Sequence, residues 1–255
     1  MAIESRELKK YLDQFLNCRE FSDYGPNGHQ IEGKSEIKKI AFAVSATRKS
    51  VASAVEKKAD ALIVHHGLFW NFHGPKTITG PFAQRVIPLI QNSINLYGYH
   101  LPLDAHPMVG NAASLAYLLK LEELTPFGDY KGSPTGVKGL LNAEQTIDQV
   151  AQSLEKILNH KVLISRSWEN KSIKKIGIIT GGANSEWAQA ARLGLDAYIT
   201  GEMSEHDWNE ASESNITMFA GGHHATEQFG IQNLMAHIKD QFQVECFYID
   251  SDNPA

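Results

Sequence analysis

Apolar residues along the chain gather into two kinds of run. Ile40 to Val44, Ala61 to Val64 and Ile176 to Thr180 are short and nearly unbroken, with the length and make-up of buried strands. Between such runs lie Ala-rich stretches whose apolar residues recur at helical spacing, the mark of a helix packed by one face. Strands and helices alternate, which predicts an α/β fold. Residues 5–16 and 226–241 read as helices, the first with Ser5 as its N-cap. "TIDQVAQSLEKILNH" reads as an amphipathic helix opened by a Thr146/Gln149 capping box. "DYGPNGHQIEG", residues 23–33, reads as a turn-rich loop leading into a strand, and "VECFYID" as a closing strand.

The pattern occurs twice. "KKIAFAVSATRKSVASAVEKKADALIVHHG", Lys38 to Gly67, aligns without a gap on "KKIGIITGGANSEWAQAARLGLDAYITGEM", Lys174 to Met203. Each has two lysines, a strand, a small-residue turn, a helix, an acidic residue (Asp60 or Asp196) and a second strand, which is a strand–helix–strand unit. A weaker match follows: "NLYGYHLPLDAHP" and "TMFAGGHHATEQFG" each end a strand in His-x-x-x-carboxylate, His100/Asp104 and His223/Glu227. Two related α/β halves are therefore expected, with a metal site where they meet. The Gly- and Pro-rich stretch 126–136 marks the boundary, giving halves 1–125 and 126–255, with the C-terminal helix and strand free to pack back on the first half.

Composition excludes several classes. The chain has 255 residues, 42% apolar and 21% charged, with a net charge of -5, an ordinary soluble composition without a basic nucleic-acid signature. No apolar stretch reaches membrane-spanning length. "MAIESRELKKYLDQF" reads as a charged helix rather than a secretory signal, and the two cysteines, Cys18 and Cys246, do not make a disulfide framework; the expected compartment is the cytoplasm.

The eleven histidines change the picture most. His65, His66, His100, Asp104, His223, His224 and Glu227 all fall at or just past the carboxyl ends of predicted strands, where α/β sheets bind ligands. Imidazoles and carboxylates are the donors divalent zinc, iron, manganese or nickel accept. Adjacent side chains on a strand diverge, so His65 and His66 suit two nearby ions better than one, with Asp104 and Glu227 available as terminal ligand and bridge. The plainer alternative is that these histidines are hydrogen-bonded structural residues. Glu202 aligns with His66 and suits either a general base or a partner behind a ligand. Glu205 and Asp207 read as favourable charges at a helix N-terminus capped by Ser204. His29, His160 and His237 are expected at the surface, His73 in a surface loop, and His106 as a support for the loop after Asp104.

Together, "DYGPNGHQIEG", "DALIVHHGLFW", "LYGYHLPLDAHPMVGNAASLA", "TGEMSEH" and "GGHHATEQFG" resemble the Nif-three-like dinuclear metal-binding proteins, also called GTP cyclohydrolase I type 2 homologues. The motifs span nearly the whole chain in the family's order; His29 stands where an apolar residue is expected. The resemblance implies two divalent ions per chain held by His65, His66, Asp104, His223 and Glu227, with Glu227 bridging and His100 close by as a further ligand or acid/base. It also implies a homohexamer whose metal sites face an internal cavity.

The expected function is that of a metal-dependent hydrolase acting on a purine nucleotide, opening the guanine ring of GTP with release of formate and using His100 or Glu202 to move protons. One alternative is a two-metal phosphoesterase or amidohydrolase, for which Lys76 and Arg85 are the available cations. The other is a metal-loaded hexameric scaffold or regulator that binds protein or nucleic acid without catalysis; the acidic charge argues against nucleic acid.

Overall fold

A computed structural model describes residues 1–255 and shows two compact units: Met1–Leu103 with Gly230–Ser251 (unit 1), and Asp104–Phe229 with Asp252–Ala255 (unit 2). The first stretch contains β1 (Ile3–Glu4), α1 (Ser5–Phe15), β2 (Gly28–Ile31), β3 (Glu36–Ile37), β4 (Lys39–Ser45), α2 (Arg48–Glu56), β5 (Ala61–His66), α3 (Gly80–Gln91), β6 (Asn95–Gly98) and α4 (Leu101–Asp104). There follow α5 (Asn111–Leu118), β7 (Glu122–Tyr130), β8 (Ser133–Gln145), α6 (Ile147–Leu158), β9 (Leu163–Ser165), β10 (Ile173–Ile178), α7 (Trp187–Arg192), β11 (Ala197–Thr200), α8 (Glu205–Glu213) and β12 (Thr217–Ala220). The chain closes with α9 (His223–Phe242) and β13 (Glu245–Tyr248). No helix is long and apolar enough to cross a membrane.

Unit 1 is built on a five-stranded sheet in the order β13-β4-β5-β6-β2, parallel except for β2. A parallel strand covered on both faces needs apolar residues on both, which is why β4 and β5 are continuous apolar runs. Leu62, Val64 and Leu96 pack with Val51 and Ala54 of α2 and Val86 and Leu89 of α3. Unit 2 is built on a six-stranded sheet, β7-β8-β10-β11-β12-β9, in which β10, β11 and β12 are parallel. Its core sets Val150, Leu154 and Leu158 of α6 with Leu115 of α5 against Ile176, Ile178 and Phe219.

Both aligned segments form parallel strand–helix–strand units, with Ile40 opposite Ala61 and Ile176 opposite Ala197. The acidic residue does the same work in each. Asp60 Oδ2 accepts from Lys38 N and Lys39 N at 2.9 and 3.1 Å; Asp196 Oδ2 accepts from Lys174 N and Lys175 N at 2.9 and 2.7 Å. Each carboxylate thus pins the start of one strand to the start of the next. In both units an antiparallel strand that precedes the segment (β2 or β9) lies beside the third parallel strand.

Several expectations need correction. Residues 126–136 are no boundary: they lie at the turn end of the β7–β8 hairpin inside unit 2, and the unit division falls at Leu103/Asp104. Gly132 takes the positive φ of the hairpin turn, +90°, while Gly136 serves close packing, since a Cβ there would stand 2.1 Å from Ile178 O of β10. Ser5 is the first residue of α1, and Glu4 occupies the N-cap. The Thr146/Gln149 capping box is present at α6. The final helix starts at His223, three residues before the expected start, so His223 and Glu227 share one helical face. His29, His160 and His237 are half-buried rather than at the surface. His29 bonds Asn95 and stacks on Tyr97, His160 sits on the Lys161 and Pro254 carbonyls, and His237 stacks on Phe15 and bonds Tyr11.

Candidate metal centre

In unit 1, β5 ends on His65 and His66. Alternation along a strand predicts that their rings diverge, yet the ring centroids lie 4.5 Å apart. The reason is the pair of strands flanking β5. His65 Nδ1 lies 3.0 Å from Tyr99 O, just past β6, while His66 Nδ1 lies 2.9 Å from Ser45 Oγ at the end of β4. Both rings therefore lie over the carboxyl edge of the sheet. His100, one residue past Tyr99, joins them with centroids at 5.0 and 5.7 Å. Ring nitrogens of His65, His66 and His100 fall within 4.8 Å of one another. Beside them a small pocket is lined by Asn27, Gln30, Gly67, Trp70 and Gly98.

His100 is braced by Asp23, the first residue of the "DYGPNGHQIEG" stretch. Asp23 Oδ1 lies 2.8 Å from His100 Nδ1, and Asp23 Oδ2 accepts from Leu101 N at 3.0 Å and Asn27 Nδ2 at 2.8 Å. Burial of Asp23 works against its charge, but His100 and these donors outweigh it and hold the carboxyl below its ordinary range. Asn27 Oδ1 in turn accepts from His100 N at 2.8 Å.

In unit 2, His223 and Glu227 stand one turn apart at the start of α9, with Nε2 and Oε2 separated by 3.1 Å. Glu202, just past β11, lies 2.5 Å from His223 Nδ1 through Oε1. Burial opposes a charged His223, but Glu227 and Glu202 prevail and push it up to about 9. Asp104 offers a carboxylate oxygen within 4.8 Å of one on Glu227 and is held by Asn111 Nδ2 at 2.8 Å. Asp104 and Glu227 are both buried. Gly181, after β10, makes room for the pair: a Cβ there would stand 2.0 Å from Glu227 Oε1 and 3.2 Å from His223 Nε2.

The other candidates fall elsewhere. His224 lies beside His223 on α9, its amide bonded to Ala255 O. Asp207 belongs to the N-terminus of α8, accepting from Ser204 N and Trp187 Nε1, and His206 is exposed. His106 Nδ1 accepts from Met108 N and Val109 N, supporting the loop after Asp104. Ser45, the Tyr99 carbonyl and Gly181 join Asp23 as positions around the candidate site that the sequence did not single out. Ser45 meets His66 through the β4–β5 register, a pairing between residues 21 apart in the chain.

The donor chemistry fits a divalent cation. All four imidazoles have Nδ1 engaged, by Tyr99 O, Ser45 Oγ, Asp23 and Glu202. A cation would then meet these rings at Nε2, the arrangement metal-ligating histidines use, and in His223 that nitrogen lies 3.1 Å from Glu227 Oε2. Within unit 2 the carboxylates of Asp104 and Glu227 accompany His223.

An α/β protein with imidazoles and carboxylates gathered at the carboxyl ends of parallel strands is the class these features define. The family model for Duf34/NIF3 (NGG1p interacting factor 3) matches residues 3–254. The chain belongs to the Duf34/NIF3 family. It is 44% identical to proteins of Pasteurella multocida and Haemophilus influenzae, each called "GTP cyclohydrolase 1 type 2 homolog", with 98% of both chains covered in each case. Among solved structures it resembles protein ybgI, of unknown function, with a TM-score of 0.92 at 39% identity over 99% of this chain and 100% of that one. It also resembles TTHA1606 from Thermus thermophilus, with a TM-score of 0.90 at 31% identity over 99% of this chain and 100% of that one.

Proposed function

We propose that the chain would hold two divalent ions through His65, His66, Asp104, His223 and Glu227, and that it hydrolyses a purine nucleotide of the GTP class with release of formate. The observation that carries the metal reading is the common arrangement of the four imidazoles, each held at Nδ1 by another group of the protein, which is how metal-ligating histidines are oriented. The names of the relatives support the substrate class.

A divalent ion at such a site supplies Lewis acidity, lowering the pKa of water and polarising the bond under attack. The chain's own residues supply the rest. Glu202 orients His223 through Nδ1, and Asn111 orients Asp104. His100, beside the paired histidines, takes and returns the proton at Nε2. Trp70, with its ring 5.0 Å from that of His100, helps to limit water on that side. The working form in this reading is a cytoplasmic homohexamer, which light scattering on the purified protein tests.

Elemental analysis and a formate-release assay with GTP test the core of the proposal together. We expect about two equivalents of metal per chain and formate release that stops when the metal is removed. A Glu227→Ala variant with full metal content and full turnover defeats it. A metal-replete protein inactive on nucleotides, phosphodiesters and amides points instead to the scaffold role.

A further inference from the structure

The loop before β2 does more than connect. Asp23 sits there with its side chain only 2% exposed, and its two oxygens meet four groups. Oδ1 accepts from Tyr24 N at 2.6 Å and faces His100 Nδ1 at 2.8 Å; Oδ2 accepts from Asn27 Nδ2 at 2.8 Å and Leu101 N at 3.0 Å. Three of these four partners are N–H groups that only donate. Both oxygens are thus committed as acceptors, and the carboxylate has no proton to offer the imidazole. The hydrogen at the His100 contact therefore belongs to Nδ1. A neutral imidazole protonated at Nδ1 carries its lone pair at Nε2.

We infer that Asp23 is a positioning residue, fixing His100 as its Nδ1–H tautomer and turning the Nε2 lone pair to the side of His65 and His66. Position is set as tightly as tautomer. Asn27 Oδ1 holds the His100 backbone, Asp23 holds that of Leu101, and Asn27 is itself held by Asp23, so the ring is gripped at its side chain and on both sides of its Cα. The rings of Tyr24 and Trp70 meet it edge to face, at 5.9 and 5.0 Å, and limit its rotation. A histidine needed only for packing has no use for a buried carboxylate dedicated to one ring nitrogen. One that must present a lone pair in a chosen direction does, by the logic by which an aspartate orients the histidine of a hydrolytic triad. This role rests on the reading of His100 as proton carrier, but the tautomer itself does not.

Solid-state 15N NMR of zinc-loaded protein labelled at histidine nitrogens tests the tautomer, with His100 assigned by difference from His100→Gln. We expect a protonated Nδ1 and an unprotonated Nε2 in the wild type, and a mixture of tautomers in Asp23→Asn. Metal content of Asp23→Asn should stay at the wild-type level, while formate release falls about 100-fold, the lower end of what a positioned proton carrier contributes. A wild-type His100 protonated at Nε2 overturns the inference whether or not the variant folds. So does a folded Asp23→Asn with the wild-type tautomer. If neither wild type nor variant turns over GTP while the tautomer shifts as expected, the nucleotide reading fails and the role of Asp23 stands.

Discussion

Gly181→Ala strikes the candidate centre without replacing any proposed ligand. Gly181 has φ of +69°, in the left-handed region, and an added Cβ would stand 2.0 Å from Glu227 Oε1, 3.0 Å from Cδ and 3.2 Å from His223 Nε2. Two costs arise. Holding a residue with a Cβ in the left-handed conformation costs about 1–2 kcal/mol. The overlap must also be relieved, and Glu227, only 3% exposed, has no solvent to retreat into; overpacking of this kind costs about 1–3 kcal/mol. The metal-free variant should be less stable by about 2–5 kcal/mol, each of which lowers Tm by roughly 2–4 °C in a chain of this size. The second effect is more diagnostic. An ion bound only by the folded state stabilises it, by roughly 2.7 kcal/mol at a hundredfold excess over Kd. Displacing Glu227 should remove that increment, so Tm of Gly181→Ala should no longer rise on adding zinc or manganese. Scanning calorimetry with and without metal reads both effects. A variant with wild-type Tm and a wild-type metal shift would refute the placement of Gly181 against Glu227.

His65→Ala/Glu227→Ala should purify with metal lost from the roughly two equivalents expected of the wild type; unchanged elemental analysis would make these residues structural. Glu202 and Glu227 hold His223 at about 9, above the 6.5 of a free histidine. Its ion pairs therefore stabilise the metal-free protein fully below about pH 6.5 and cease to do so as pH rises through about 9. Metal must displace that proton, so apparent affinity should rise up to about tenfold per pH unit until about pH 9, and calorimetric titrations showing a flat profile would contradict the assignment. Asp60→Ala leaves the part-buried amides of Lys38 and Lys39 without their acceptor and should cost about 2–4 kcal/mol in denaturant unfolding. Lys34 and the Lys38 and Lys39 amides overcome the effect of burial and hold Asp60 below its ordinary pKa, so its contribution is present above that ordinary value and is lost as pH falls through the folded one. Asp196→Ala should cost less, because half-buried Asp196 leaves its amides nearer to water.

Much of the architecture was legible locally. The apolar runs of β4, β5 and β10 are strands because each is covered on both faces, and that requirement is written into consecutive residues. The capping box of α6 was legible for the same reason, since its partners are three residues apart. The unit boundary was not. Gly and Pro at 126–136 signal a turn, and a turn between two domains and a turn within a hairpin have the same composition; only the pairing of β7 with β8 separates them. His29 and His237 were misplaced because their partners, Asn95 and Tyr11, are 66 and 226 residues away.

The candidate site divides along the same line. The sequence by itself determined the donor types and their location: imidazoles and carboxylates at strand ends, and a His-x-x-x-Glu pair that a helix brings to one face. Only the tertiary structure decided which nitrogen each imidazole presents. That choice is made by Ser45, Tyr99, Asp23 and Glu202, lying 21, 34, 77 and 21 residues from the rings they hold. A ring's tautomer follows from the hydrogen bond at its other nitrogen, and those partners reach it across the edge of a sheet rather than along the chain.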